Sequence, residues 1–405
     1  MRRIACFLPV PLLALSALVL LSFAAPASPE PIAQIRIGVL APLSGPFAGG
    51  GSALTQAVTL AVELANAEGG LLGRPVELLV ADTQGRVEIA RSEALRLTSR
   101  EKVFALVGAY LSEETVGVIE VAAASRSVLI VPVAATNEIT DRVRREYDRY
   151  RYIFRVGYSI PQWAGMMAEF LARQGVSRYA FVGTGIRWNR ELAGELRRAL
   201  APKRIVPVYE SFYSPRNPAF ESVAVAVMAR SPEVLVLGDP GGSSAEFVKR
   251  VREGGAIFPI LSVGGTLGDA RIAATLPLSA PLYVQAASWK GASPAATRYA
   301  KAFERRYGYM PVGYSDTLPY DAATVLFSAV RAAGRTDSDA VVKALETGAF
   351  PGIAGTYRFD PSHQAAWGTP ELHGIVIRWE PGGARIVFPV PPGESNPAAA
   401  DPRAQ

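Results

Sequence analysis

The sequence predicts an α/β protein with two similar halves, each a mainly parallel sheet covered by helices on both faces. Three observations favour this fold class. Short apolar runs alternate with helical stretches from residue 35 onward, the alternation restarts after residue 156, and loops rich in glycine and proline separate the elements. With 405 residues, the chain is long enough for about two domains. Its composition, 49% hydrophobic and 19% charged, is that of a globular protein.

The first strand, loop and helix fall between residues 35 and 70. Ile35 to Leu40 form a β-rich apolar run, which is typical of a strand buried in a sheet. The loop of residues 42–52 carries two prolines and four glycines, and Ser52 is predicted to cap the helix that follows. Ligands of such sheets bind where loops leave the carboxyl ends of strands. This loop is therefore predicted to form one edge of a ligand site.

The remaining elements of the first half follow from the same patterns. Apolar, β-rich runs predict strands, and apolar residues at helical spacing predict helices. A helix over residues 113–124 has Glu113 and Glu114 in its first turn, where the helix dipole favours acidic side chains. The predicted strands are 76–81, 103–108 and 128–133, and the other predicted helix is 88–98.

The second half repeats this alternation without a repeat of the sequence itself. Pro161 favours a helix start, because proline is tolerated in the first turn. The predicted helices are 161–173, 189–200, 220–229 and 244–253, and the predicted strands are 179–183, 205–209, 234–238 and 259–263. From residue 282 onward we expect a strand at 282–288, helices at 297–307, 320–333 and 338–346, and strand-like segments at 356–359, 374–379 and 384–388.

The first 27 residues have the pattern of a cleavable signal peptide. Arg2 and Arg3 precede an apolar stretch, and Ala25-Pro26-Ala27 matches a small-x-small cleavage site. The alternative is a permanent membrane anchor, but the leucine-rich core is short for a span of about 20 residues. Cys6 would leave with this segment, so the mature chain would have no cysteine for disulfides, thiol catalysis or metal binding. We expect an exported, periplasmic protein.

The charge and composition of the chain indicate which classes of binding partner to expect. The net charge of +6 is spread along the chain without a basic stripe, so we expect no nucleic-acid binding. Arginines between residues 142 and 151 are interleaved with acidic residues, which predicts a solvated helix end. Residues 391–405 are rich in proline and alanine and predict a disordered tail.

Three loops carry the candidate binding groups. They cover residues 42–52, 109–112 and 134–137, and each follows a predicted strand of the first half. Hydroxyl groups beside helix N-termini make a suitable seat for a carboxylate or another small anion. Alternatively, these hydroxyls only cap the helices. The hydroxyl residues are Ser44, Ser52, Ser112 and Thr136.

Several stretches follow one another along the chain as IRIGVLAPLSGPFAGGG, VFALVGAYLSEET, VPVAATNEIT, YDAATVLFSAVRAAG and TYRFDP. In this order they resemble the substrate-binding proteins of ABC importers, above all the leucine/isoleucine/valine-binding class. The resemblance implies a type I periplasmic binding protein, with two Rossmann-like lobes of parallel-core sheets flanked by helices and joined by three crossovers. The crossovers would fall near residues 157–159, 286–288 and 350–355.

In this arrangement lobe 1 would comprise residues 34–157 plus 287–350, and lobe 2 residues 158–286 plus 351–390. The lobes would close on a small-molecule ligand and deliver it to the membrane subunits of an ABC permease. We expect a monomer that needs no cofactor. The alternative is a ligand-sensing or regulatory binding protein of the same fold that acts on a membrane partner.

The resemblance also assigns site residues. Ser112 would bind the ligand's carboxylate, with Tyr110 on the same loop. The loop of Ala134, Ala135 and Thr136 would bind carboxylate and ammonium groups. Trp188 would cover the ligand from the second lobe, or could instead be a core residue between the lobes.

Two positions depart from the family pattern. Gly50 stands where the family often has an aromatic residue, and Gly264 stands where it has the acid that pairs with an amino group. Asp239, Glu113 and Asp316 are the alternatives to that acid, although nothing in the sequence places them at the site. A buried ammonium without a counter-charge is costly. We therefore predict a small carboxylate with an apolar or aromatic body, with an amino acid as the less favoured ligand.

Enzyme patterns are missing from the sequence. Its glycine-rich segments match neither a dinucleotide fingerprint nor a P-loop, and no nucleophile elbow is present. His363 and His373 are too few for a zinc site without cysteine, and both are predicted to be surface or turn residues. Glu113 and Glu114 are adjacent, so they point in different directions on a helix and do not form a carboxylate pair. We predict a binding protein rather than an enzyme.

Overall fold

The computed structural model describes residues 33–214, 219–238, 241–311 and 313–389. The predicted signal peptide, the predicted tail and Asp239 lie outside the described residues. Among the helices of the described residues, none combines the length and the apolar character needed to cross a membrane.

The first sheet has five strands in the order β2-β1-β3-β4-β5, and all of its pairings are parallel. Parallel pairing of consecutive strands requires a crossover helix between them, which explains the alternation seen in the sequence. The strands are β1 (Ile35–Ala41), β2 (Val76–Asp82), β3 (Ala105–Val107), β4 (Val128–Val131) and β5 (Ile153–Arg155).

The second sheet has seven strands in the order β14-β13-β10-β9-β8-β6-β7. Its first five strands in sequence are paired in parallel, whereas β13 runs antiparallel to both β10 and β14. The strands are β6 (Arg178–Thr184), β7 (Val206–Tyr213), β8 (Val234–Gly238), β9 (Ile260–Val263), β10 (Leu282–Ala286), β13 (Ile375–Glu380) and β14 (Gly383–Phe388). Two sheets of mainly parallel strands flanked by helices confirm the predicted α/β fold class.

Helices cover both sheets. Those near the first sheet are α1 (Ala48–Ala67), α2 (Val87–Leu95), α3 (Ser112–Ser125), α4 (Glu138–Arg145), α5 (Tyr147–Tyr150), α11 (Pro294–Tyr307), α12 (Thr317–Ala333) and α13 (Ser338–Thr347). Those near the second are α6 (Ile160–Arg173), α7 (Arg187–Leu200), α8 (Phe220–Ala229), α9 (Ser244–Glu253) and α10 (Ala270–Ala273). A π-helical turn, Arg96–Arg100, extends α2.

We call the first sheet with its helices lobe 1 and the second sheet with its helices lobe 2. The chain leaves lobe 1 between β5 and α6 and returns between β10 and α11. It passes to β13 of lobe 2 through the small hairpin of β11 (Phe350–Pro351) and β12 (Thr356–Tyr357). The described residues belong to one compact unit.

The start of α1 differs from the prediction. The helix begins at Ala48, and Ser52 is an exposed residue inside it rather than its cap. Gly51 permits this earlier start, because a Cβ there would lie 1.9 Å from the carbonyl oxygen of Pro42. Ser44 is also used elsewhere, since its hydroxyl donates to the Asp82 carboxylate at 2.8 Å. The loop of residues 42–52 is therefore shorter than predicted.

The histidines differ from each other. His373 is exposed. His363 lies in a turn, as predicted, but it is buried rather than at the surface. Its Nδ1 lies 3.0 Å from the carbonyl oxygen of Ile153, and its ring stacks on Phe154 at 3.9 Å between centroids. Burial lowers the pKa of His363.

Candidate ligand site

Two neighbouring strands of the first sheet carry the loops on which the site begins. β3 and β4 pair in parallel, so the loops that follow them leave the same edge of the sheet. Tyr110 and Ser112 follow β3, whereas Ala134 and Ala135 follow β4. The four residues line a common cavity.

The cavity lies where these loops meet lobe 2. Its volume of about 20 Å³ is room for roughly one water molecule. The lining residues that the sequence predicted are Tyr110, Ser112, Ala134, Ala135, Trp188 and Gly264. Those that it did not predict are Leu111, Val133, Trp163, Ile186 and Tyr314.

Ser112 supplies a hydroxyl to the cavity. It is the first residue of α3 and is only 2% exposed, and its Oγ has no hydrogen-bond partner in the described part of the chain. Glu114 fixes the preceding loop, because its Oε2 accepts the Leu111 N–H at 3.0 Å. Burial raises the pKa of the Glu114 carboxyl. An unsatisfied buried polar group costs about 1–3 kcal/mol, so the Ser112 hydroxyl needs a ligand atom or a water.

Thr136 is placed differently from its two neighbours. It is buried, but it lines an adjacent charged cleft rather than the cavity. Its Oγ1 donates to Oε1 of Glu191 on α7 at 3.1 Å, which joins the two lobes. The loop therefore offers Ala134 and Ala135 to the cavity, while the hydroxyl of Thr136 has a partner in the protein.

Arg155 anchors the loop that contains Thr136 by hydrogen bonds from its buried guanidinium. It is fully buried at the end of β5, and it donates to the Thr136 carbonyl at 2.7 Å, to Thr140 Oγ1 at 3.3 Å and to Gln364 Oε1 at 2.5 Å. Burial lowers the pKa of Arg155 to about 9, so the guanidinium stays charged at neutral pH. All three of these acceptors are neutral.

Gly50 explains the position of Tyr110. A Cβ on Gly50 would lie 2.1 Å from the Tyr110 hydroxyl, so Tyr110 fills the space that a side chain at residue 50 would need. The Tyr110 hydroxyl lies 3.4 Å from the hydroxyl of Ser315. An aromatic ring is thus present beside this loop, but it comes from residue 110 rather than from residue 50.

The carboxylates near the site each accept a hydrogen bond from the protein, but Oε2 of Glu113 is buried without a partner among the described residues. Glu113 Oε1 accepts the backbone N–H of Arg187 at 2.7 Å, and Asp316 Oδ1 accepts that of Gly313 at 3.1 Å. Gly264 lines the cavity with a positive φ of 105°. Among the described residues, none of those that line the cavity carries a carboxylate.

Aromatic rings form much of the wall. Trp163 lies 5.0 Å from Trp188 and 4.8 Å from Tyr314 between ring centroids. Burial raises the pKa of Tyr314 well above its usual range, and its hydroxyl donates to the Val133 carbonyl at 3.2 Å. Trp163 lies in the first turn of α6, directly after the chain enters lobe 2, and this position is the one sequence signal that could have indicated it.

Comparison with known proteins identifies the family. Residues 34–377 match the family model of periplasmic binding proteins. The chain belongs to the periplasmic binding protein family. This periplasmic binding protein is 24% identical over 401 residues to Leu/Ile/Val-binding protein homolog 7 of Brucella suis. The alignment covers 93% of this chain and 96% of the relative. The resemblance seen in the sequence is thereby confirmed.

Solved structures share the fold. An ABC transporter solute-binding protein from R. palustris, in complex with benzoate, superimposes with a TM-score of 0.77 at 19% identity and covers 88% of this chain and 96% of that one. The branched-chain amino acid transporter substrate-binding protein LivJ from Streptococcus pneumoniae, in complex with isoleucine, superimposes with a TM-score of 0.74 at 18% identity, with coverages of 88% and 99%.

Helix α7 joins the lobes of this periplasmic binding protein. Its second residue, Trp188, lines the cavity, while Arg187 and Glu191 contact lobe 1. The Arg187 guanidinium pairs with Glu138 of α4 at 2.8 Å, and its backbone N–H donates to Glu113. The first two turns of α7 thus carry both a cavity residue and the contacts to lobe 1.

Removing the Glu138 carboxylate is expected to favour separation of the lobes. Glu138→Ala breaks the pair with Arg187 without changing a cavity residue, and the pair is partly exposed, so we expect an effect of about 1 kcal/mol. Small-angle X-ray scattering of the ligand-free protein should give a larger radius of gyration than for the unmodified chain. Glu195→Ala is the control, since Glu195 pairs with Arg198 within α7. Equal radii for the two variants would show that the pair with Arg187 does not hold the lobes.

Proposed function

We propose that this chain is an extracytoplasmic solute-binding protein that captures a small carboxylate with an apolar or aromatic body between its lobes and delivers it to an ABC permease. The observation that carries the proposal is the unpaired, buried Ser112 hydroxyl in a cavity walled by aromatic rings. A hydroxyl can donate to a carboxylate, and the rings can cover the apolar body.

The surroundings disfavour an ammonium group. The described residues that line the cavity carry no carboxylate, and Glu113, which has one unpaired carboxylate oxygen, is not among them. An ammonium enclosed here would lose its hydration without gaining a counter-charge. The two candidate ligand classes are represented by solved structures: the R. palustris protein binds benzoate, an acid without an ammonium group, and LivJ binds isoleucine, an amino acid. The cavity chemistry supports the benzoate-like class.

Binding would proceed by closure. The open lobes admit the acid, Ser112 donates to its carboxylate, and Trp188 arrives with lobe 2 to cover its body. The ligand stabilises the closed form by no more than its differential affinity for the two forms. The closed form would then engage the permease, and the acid would be released unchanged. Export through a cleaved signal peptide to the periplasm is part of the same proposal.

A ligand panel tests the proposal directly. The mature protein is titrated by calorimetry with leucine, benzoate and short aliphatic acids. We expect acids without an ammonium group to bind more tightly than leucine. Tight binding of leucine together with no binding of the other acids would reverse the proposed ligand class. Loss of uptake of the bound acid on deletion of a neighbouring permease would support transport, whereas unchanged uptake would favour the sensing role.

Ser112→Ala is expected to weaken binding of the acid found in that panel by about 1–3 kcal/mol, because the variant removes a hydrogen bond to a buried charge. Calorimetry of the variant gives the comparison. Ser125→Ala is a matched control at the other end of α3, since the Ser125 hydroxyl already donates to the Val121 carbonyl at 2.8 Å. A dissociation constant unaffected by Ser112→Ala would remove Ser112 from the site.

A further inference from the structure

The two tryptophans that line the cavity share an unusual property. Trp163 is 1% exposed and Trp188 is 6% exposed. The indole N–H of each has no acceptor within the described residues. We call these two N–H groups the indole pair. A buried donor without an acceptor is costly, so each member of the pair needs an acceptor from outside the described protein.

Two other buried tryptophans show that an unpaired indole N–H is not common to all buried tryptophans of the chain. The Trp367 N–H donates to the Val156 carbonyl at 2.7 Å, and the Trp379 N–H donates to the Leu267 carbonyl at 2.8 Å. Both of those rings are also buried. These two tryptophans therefore have backbone acceptors, whereas the two at the cavity wall have none among the described residues.

The indole pair is chemically different from Ser112. An indole N–H can only donate, so its complement must be an acceptor. The two rings lie 5.0 Å apart between centroids, and both belong to elements of lobe 2, whereas Ser112 belongs to lobe 1. A ligand whose carboxylate meets Ser112 therefore presents its other end to the side of the cavity that carries the indole pair.

We propose that the indole pair forms a second polar subsite, which takes an oxygen acceptor on the body of the ligand. This inference rests on the proposed function and refines it. The preferred ligands are small acids with a second oxygen function, such as a hydroxyl or carbonyl group, rather than acids with a plain hydrocarbon body.

Matched ligands test the subsite. The probes are 3- and 4-hydroxybenzoate against 3- and 4-methylbenzoate, and 4-oxopentanoate against pentanoate, each titrated by calorimetry into the mature protein. A methyl group has nearly the volume of a hydroxyl but cannot accept a hydrogen bond. We expect at least one oxygen-bearing acid to bind about tenfold more tightly than its hydrocarbon partner, which is the effect of one hydrogen bond in a buried site.

Variants connect that preference to the indole pair. Trp163→Phe and Trp188→Phe keep an aromatic ring but remove the N–H, so the ratio of the two affinities should fall toward one in at least one of them. Trp367→Phe is the matched control, because its N–H has a backbone acceptor. This control should leave the ratio as it is in the unmodified protein.

The outcomes separate the two proposals. Equal affinities within every probe pair, or a ratio that both Phe variants leave unchanged, would overturn the subsite while the carboxylate-binding function stands. Such a result would mean that the indole pair is satisfied by water. No binding of any probe acid, with tight binding of leucine, would overturn the proposed ligand class and the subsite with it.

Discussion

Replacing Arg155 with methionine is expected to lower the free energy of unfolding by about 3 kcal/mol. The guanidinium donates three hydrogen bonds inside the protein, to Thr136, Thr140 and Gln364. Methionine fills a similar space but leaves those acceptors buried without donors, at about 1–3 kcal/mol for a group that stays unsatisfied. Methionine also removes the cost of burying a charged group, and this offsets part of the lost stability. That cost is visible in the pKa of Arg155, which burial lowers to about 9. Urea denaturation followed by tryptophan fluorescence gives the measurement.

Arg151→Met is the matched control. Arg151 lies four residues earlier and pairs with Asp339 at the surface, where its side chain is 30% exposed, so its replacement should cost well under about 1 kcal/mol. Arg155→Lys should fall between the two, because lysine keeps the charge without the planar fork. Equal losses for the methionine variants at 151 and 155 would contradict the role of Arg155 in holding the Thr136 loop.

Asp321→Ala is expected to lower the free energy of unfolding by a similar amount, about 3 kcal/mol. The carboxylate of Asp321, on α12 of lobe 1, is fully buried and anchors the chain near the small hairpin that leads to lobe 2. It accepts the backbone N–H groups of Ile353 at 2.7 Å and Ala354 at 3.0 Å, and the Tyr357 hydroxyl at 2.7 Å. Alanine leaves two buried backbone donors without an acceptor. Chemical denaturation at pH 7 measures the change.

The variant Tyr357→Phe and the pH dependence of stability both test the role of Asp321. Tyr357→Phe removes one of the three donors and keeps the carboxylate, so its cost should be about 1 kcal/mol. Burial raises the pKa of Asp321 to about 6. The folded state then holds the proton more tightly than the unfolded chain, so this contribution to stability is full below about pH 4 and is lost as the pH rises through 6. The cost of Asp321→Ala should therefore be larger at pH 5 than at pH 7, and the opposite trend would refute the raised pKa.

The part of the site on lobe 1 could be predicted because it follows from local rules. Apolar runs fixed the strands, and parallel strands necessarily bring the loops that follow them to one edge of a sheet. Ser112 was predicted in this way, whereas Ala134 and Ala135 were assigned by the family resemblance, and the structure gathers all three around one cavity. Whether they contact a ligand remains a prediction.

The rest of the site depends on contacts between distant parts of the chain. Apart from the position of Trp163 at the start of α6, nothing in the sequence indicates that the rings of Trp163 and Tyr314 meet at one cavity wall. Tyr110 occupies the space beside Gly50, which only packing between α1 and the loop after β3 reveals. Thr136 was expected to face the ligand, but in the structure its hydroxyl donates a hydrogen bond to Glu191 of the other lobe.

The sequence by itself determined the α/β class and the loops that follow the strands of the first half, because periodicity and residue type act over a few residues at a time. The family came from the resemblance of whole stretches to known proteins, and the acid missing at Gly264 is an expectation from that resemblance. Only the tertiary structure decided which polar groups stay unpaired, because a hydrogen bond joins whatever donor and acceptor the packing brings within about 3 Å. That selection left the Ser112 hydroxyl and the two indole N–H groups without partners among the described residues, and the ligand proposal follows from them.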